Sequence, residues 1–170
     1  MAYKISNACQ NIKGCERICM RVCPTGAIKD DFRKSPTIDE KLCIDCGVCG
    51  SYCPFNGIYD QYGRQVYKLE QAHRPVAKVI EELCTGCRNC VDVCPFGCLE
   101  MTTSQHNNYF LVAKNIRPKD CVACRLCVEV CSDKRAIRIY WPNGREAINW
   151  DVTETDPIPI KLSGSLFTYS

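Results

Sequence analysis

The chain has 170 residues, of which 17 are cysteine, and a formal net charge of +3 at pH 7. Its length allows one domain or two small ones, and no stretch approaches the roughly 18 apolar residues of a membrane-spanning helix, so we expect a soluble chain with no direct membrane insertion. The opening Met-Ala-Tyr-Lys-Ile-Ser-Asn-Ala-Cys lacks the apolar core of a secretory signal, which predicts a reducing, cytoplasmic setting and turns the cysteines away from disulfides and toward metal.

The first cysteine group is Cys9, Cys15, Cys19 and Cys23, followed by Pro24, with the loose spacing C-x5-C-x3-C-x3-C-P. Cys43, Cys46, Cys49 and Cys53, followed by Pro54, form the compact C-x2-C-x2-C-x3-C-P. Cys84, Cys87, Cys90 and Cys94 with Pro95 repeat it, and Cys121, Cys124, Cys127 and Cys131 keep the spacing but place Ser132 where proline stood. The repeat unit is about 35 to 40 residues, read as strand, cysteine loop, short helix, turn and strand. Zinc sites favour two separated C-x2-C pairs, whereas this run is the spacing of cubane iron–sulfur sites, in which the fourth cysteine serves the neighbouring cluster.

Linker lengths pair the first group with the second and the third with the fourth. Crossing the fourth cysteines gives Cys9, Cys15, Cys19 and Cys53 for site one, and Cys43, Cys46, Cys49 and Cys23 for site two. Site three takes Cys84, Cys87, Cys90 and Cys131, and site four takes Cys121, Cys124, Cys127 and Cys94. Four thiolates around a core of about +2 leave roughly −2 per site, so four sites would carry the chain to about −5. The basic residues are then counter-charges for the sites, and no nucleic-acid partner is expected.

Cys98, four residues after Cys94, is left over and is expected to be a small buried hydrophobe where other repeats carry Ala27 or Ile58. His73 and His106 read as solvated loop residues, and Tyr52, Phe55 and Phe96 as core and shielding. Leu126 and Val130 are spaced to make one apolar stripe over a cluster, as are Val91, Val93 and Leu99. The amides of Ile44, Gly47, Thr85 and Gly86 are expected donors to sulfur. Residues 138–150 alternate around Asn143-Gly144 and predict a hairpin. Pro157 and Pro159 rule out a helix beyond it and leave two readings, an extended arm that lies on a partner, which we expect, or a disordered tail.

The four cysteine runs resemble bacterial-type ferredoxins with two [4Fe-4S] clusters, duplicated as in polyferredoxins, over about residues 5 to 140. The resemblance implies an α+β chain of two tandem ferredoxin-like 2[4Fe-4S] modules, 1–80 and 81–140, with a hairpin and C-terminal docking arm at 141–170. It also implies four [4Fe-4S] clusters as cofactors. The chain is similar as well to the small polyferredoxin subunits that accompany tungsten-containing aldehyde oxidoreductases and benzoyl-CoA reductases. That second likeness implies a larger catalytic subunit carrying tungstopterin, and an external electron donor or acceptor such as a ferredoxin or a flavoprotein subunit. No dinucleotide fingerprint, phosphate loop or nucleophile–base pattern is present, so we expect an electron-transfer subunit of an anaerobic oxidoreductase with no catalytic residue of its own. The alternatives are a diffusible polyferredoxin and an iron–sulfur sensor or scaffold.

Overall fold

A computed structural model describes residues 2–7, 9, 15–30, 35–106 and 108–147, together with the backbone of 160–162 and 165–167. The chain divides into two units, 1–70 with 149–170, and 71–148. The expected boundary at 80 falls elsewhere, because a strand that begins at Val76 pairs with the end of the second unit.

In the first unit β1 (Lys4–Ile5) leads to the first cysteine loop and the single-turn helix α1 (Ile18–Arg21). Strands β2 (Ile28–Lys29) and β3 (Thr37–Ile38) form an antiparallel inner pair, Ile28 opposite Ile38. After the second loop and α2 (Val48–Tyr52) comes β4 (Ile58–Tyr59), which returns antiparallel to β1 with Ile58 opposite Ile5. A last strand, β5 (Gln65–Val66), joins the outer edge of β4. Tyr3, Cys53 and Ile58 are buried together, with Ile5, Ile38, Cys49 and Val66 packed on them. A Cβ on Gly50 would stand 2.4 Å from Cγ1 of Val66, so the absence of a side chain there lets β5 cover α2.

The second unit repeats the plan with longer strands. The outer pair is β6 (Val76–Val79) with β9 (Ile137–Tyr140), and the inner pair is β7 (Leu99–Thr103) with β8 (Leu111–Asn115), both antiparallel. The helices α3 (Asn89–Val93) and α4 (Leu126–Glu129) follow the two cysteine loops. Asn115 Nδ2 donates to the Ala77 carbonyl at 2.9 Å and ties the inner pair to the outer one. Helices of four or five residues are far below the length that is stable alone, so packing and the cysteine loops hold them.

The hairpin at Asn143-Gly144 is present: Trp141 N–H donates to the Arg145 carbonyl at 2.8 Å, and Tyr140 bridges Glu146. It belongs to the second unit rather than to a separate tail, and Trp141 at its base is 1% exposed. Its far side at 148–150 lies outside the described residues, as do both prolines of the expected arm. Beyond them the backbone makes a pair, β10 (Ile160–Leu162) antiparallel to β11 (Ser165–Phe167), instead of one extended run.

Among the described residues no helix is long and apolar enough to cross a membrane.

Candidate metal centres

Each cysteine loop ends in a residue with left-handed backbone placed two before its third cysteine: Arg17, Gly47, Arg88 and Arg125, with φ of 50°, 70°, 70° and 68°. A side chain in that region costs about 1–2 kcal/mol, so its use in three loops of four marks a chain bent to aim its thiols. The three arginines are held in place. Arg17 pairs with Asp30, Arg88 Nε meets Asp92 at 3.1 Å, and an Arg125 terminal nitrogen donates to the Ala147 carbonyl at 2.9 Å. Nothing in the cysteine pattern singles out these arginines except their fixed offset from the third cysteine.

All seventeen cysteines are free. Burial raises the thiol pKa of Cys19 to about 11, helped by the neighbouring thiols of Cys53, Cys9 and Cys15. Cys49 is raised further, by burial first and then by Cys46, Cys19, Cys43 and Cys23. In the second unit Cys90 rises to about 11 through burial, with Cys84, Cys131 and Cys87 around it. Cys127 rises further through burial, with Cys121, Cys124, Cys94 and Cys90 around it. The structure thus draws together the crossed sets, with the fourth cysteine of each repeat standing among the first three of its neighbour. Cys19 beside Cys49, and Cys90 beside Cys127, bring the two sets of each unit near one another.

Sulfurs this buried and this close resist ionising together; a cationic core is what lets four of them share one site as thiolates. Among the described residues no three cysteine, histidine or carboxylate groups converge as ligands of a single ion. The thiols instead ring cavities. Cys84, Cys87, Cys90 and Cys131 line one of about 160 Å³, and Cys94, Cys121, Cys124 and Cys127 line a second of about 20 Å³. Cys23, Cys43, Cys46 and Cys49 line a third of about 20 Å³. The donor set fits a polynuclear iron–sulfur core.

Amides reach sulfur at places other than the expected Ile44, Gly47, Thr85 and Gly86. Ala27 donates to Cys23 and Gly57 to Cys53, each at 3.3 Å, Cys98 donates to Cys94 at 3.4 Å, and Ala77 to Cys121 at 3.5 Å. Three of these come four residues after the last cysteine of a repeat, where the chain has just passed a left-handed residue at Gly26, Asn56 or Gly97. The same geometry makes Gly57, not Ile58, the equivalent of Cys98. Cys98 is buried at 2% exposure and lines the cavity of Cys94 and Cys121. Burial, with those two neighbours, raises its pKa to about 12.

Other expectations change. Leu126 lines the cavity of site four and Val130, past the end of α4 and 42% exposed, lines that of site three, so they make no common stripe. Leu99 sits in β7, not on α3 with Val91 and Val93. Phe55 is 43% exposed and shields little, whereas Phe96 lines the cavity of site four. His106 is exposed and lies 3.5 Å from Glu82, and His73 closes a 3-10 turn.

Two models of a 4Fe-4S dicluster domain match the chain, over residues 36–101 and 76–132. They overlap in the third repeat and leave the first outside. The match over 76–132 falls within the second unit, whereas the match over 36–101 joins the second repeat to the third and is one repeat out of step with the units that the strand pairing defines. The chain is 38% identical over 61 residues to a protein called ferredoxin 7Fe from Hydrogenibacillus schlegelii, covering 36% of this chain and 74% of the relative. It is 36% identical over 59 residues to a ferredoxin of Alicyclobacillus acidocaldarius subsp. acidocaldarius, covering 35% and 72%. A probable anaerobic dimethyl sulfoxide reductase chain, YnfG of Escherichia coli K12, is 32% identical over 72 residues, 42% of this chain but only 31% of the relative's length. A solved chain in a formate dehydrogenase–heterodisulfide reductase–formylmethanofuran dehydrogenase complex from Methanospirillum hungatei is similar at 23% identity and a TM-score of 0.32. That match covers 79% of this chain and 52% of the other, and the likeness is too low to carry an argument. The coverage of the two ferredoxins and the dicluster matches decide the family: the chain belongs to the bacterial-type ferredoxins, iron–sulfur electron-transfer proteins, and it carries four [4Fe-4S] clusters.

Proposed function

We propose that this chain is the electron-transfer subunit of a larger, anaerobic, cytoplasmic oxidoreductase, and that its sixteen cysteines bind the clusters in the crossed sets given above. The observation that carries the reading is the neighbourhood of Cys49 and Cys127, each surrounded by three thiols of its own set and one of the adjoining set. Two sites kept that close favour passage of an electron from one to the next within a unit. When bound, the clusters supply one-electron chemistry, and the cysteines would fill every ligand position, leaving none for a substrate. The chain's own residues hold the thiols, place amides on sulfur and set arginines beside the loops.

The catalytic partner is the larger subunit; its finer identity as a tungstopterin protein of the aldehyde oxidoreductase kind is part of the proposal, drawn from the cysteine pattern and chain size. The 141–170 segment is proposed to dock on it. Anaerobic size exclusion of native extract tests the subunit reading. Co-elution with a large chain whose metal analysis gives tungsten is expected; molybdenum would replace the tungsten reading. Elution of the chain alone, at its own size of 19.2 kDa, would favour the diffusible carrier that the ferredoxin relatives suggest.

A further inference from the structure

The turn after the last cysteine is where the fourth repeat parts from the other three. In the first three repeats proline follows the cysteine, the chain turns through left-handed Gly26, Asn56 or Gly97 three residues on, and the next amide donates back to the cysteine sulfur. In the fourth, Ser132 replaces proline and one more residue separates Cys131 from its strand. The left-handed residue is Arg135, four residues on, and its amide donates at 2.7 Å to the Cys131 carbonyl. Among the described residues no hydrogen bond is directed to the Cys131 sulfur, and Ser132, Asp133, Lys134 and Arg135 are all exposed.

Cys131 stands with Cys84, Cys87 and Cys90 in site three. Reduction adds one electron and no proton to a group that already carries roughly −2. An N–H dipole aimed at a ligand sulfur favours the more negative form, so a sulfur denied that amide makes the electron harder to accept. We propose that the turn 132–135 sets the reduction potential of site three by withholding this amide, holding it below the value the same site would have with a proline turn. Exposure of Cys87 and the open cavity work in the other direction; the effect of the turn is therefore measured within site three rather than by rank among the four. The inference rests on the ligand sets proposed above.

The test is an anaerobic potentiometric titration followed by electron paramagnetic resonance, on the full iron-loaded chain. It is repeated on a variant in which Ser132-Asp133-Lys134-Arg135 is replaced by Pro-Phe-Gly, the sequence between Cys94 and Cys98. One of the four one-electron steps should move to higher potential while three stay and iron is retained; four unmoved steps with full iron would overturn the proposal. Pulsed resonance on the unaltered protein gives a second reading if the variant loses iron. The signal of site three should lack a strong exchangeable-proton coupling that the others show, and an equal coupling there would overturn the proposal. Cys131→Ser marks which step belongs to site three. If the turn replacement moves one step and Cys131→Ser alters another, the ligand sets fail and the proposal falls with them; if both act on the same step, both stand.

Discussion

The inner strand pair of the first unit joins two residues to two and its outer pair β1–β4 does the same, whereas in the second unit the inner pair joins five to five and the outer pair four to four. Both units hold two sites on the same plan of strand, loop, helix, strand, strand, loop, helix, strand. They differ in how much backbone ladder stands behind the cysteine loops, and in the Trp141 hairpin, which takes in the second unit the place that β5 takes in the first. Short ladders cannot offset their own ordering entropy, so we expect the first unit to lean on its clusters for shape and the second to keep its frame without them.

The largest effect that would break this contrast is iron removal. After anaerobic chelation, hydrogen exchange should show the amides of β2 and β3 open while those of β7 and β8 stay measurably protected. Loss of both together would mean that the longer ladders add no independence.

Core truncation sharpens the contrast. Trp141→Ala should cost about 3–5 kcal/mol and Ile58→Ala about 2–5 kcal/mol, each from a side chain no more than 1% exposed. Denaturant unfolding followed by exchange should locate the first loss in the second unit and the second loss in the first.

Smaller and more local are two glycines. In Gly86→Ala the new Cβ would stand 2.5 Å from the Leu111 carbonyl oxygen at a residue with φ of +72°. It should cost about 1–3 kcal/mol, with the site-three signal altered. Gly50→Ala presses only on the Val66 side chain and should cost about 1–2 kcal/mol with every cluster signal kept. An altered site-three signal for Gly50→Ala instead would contradict the division into units.

Much of this was legible in the sequence because cysteine spacing is a direct statement of ligand geometry. The repeats, the grouping of Cys53 with Cys9, Cys15 and Cys19, and the turn at Asn143-Gly144 all follow from local patterns. What stayed hidden depends on long-range pairing. Only the register of Val76 against Tyr140 shows that the second unit begins before residue 80. The amides expected to donate lie in the loops before the third cysteine, but three of the donors come after the fourth, where a left-handed residue turns the next N–H back to sulfur, and Ala77 donates from β6. Gly26 and Gly97 hint at that turn, but Asn56 does not. Leu126 and Val130 mislead because their spacing implies a helix that runs past Glu129, where α4 stops.

The crossed assignment of ligands is tested most directly by Cys53→Ala, compared by electron paramagnetic resonance of the anaerobically reduced protein with Cys15→Ala and Cys46→Ala. Loss of the signal that Cys15→Ala also removes, with the Cys46→Ala signal intact, is the predicted result. Loss of the signal shared with Cys46→Ala would place Cys53 in the cluster of its own loop and contradict the account.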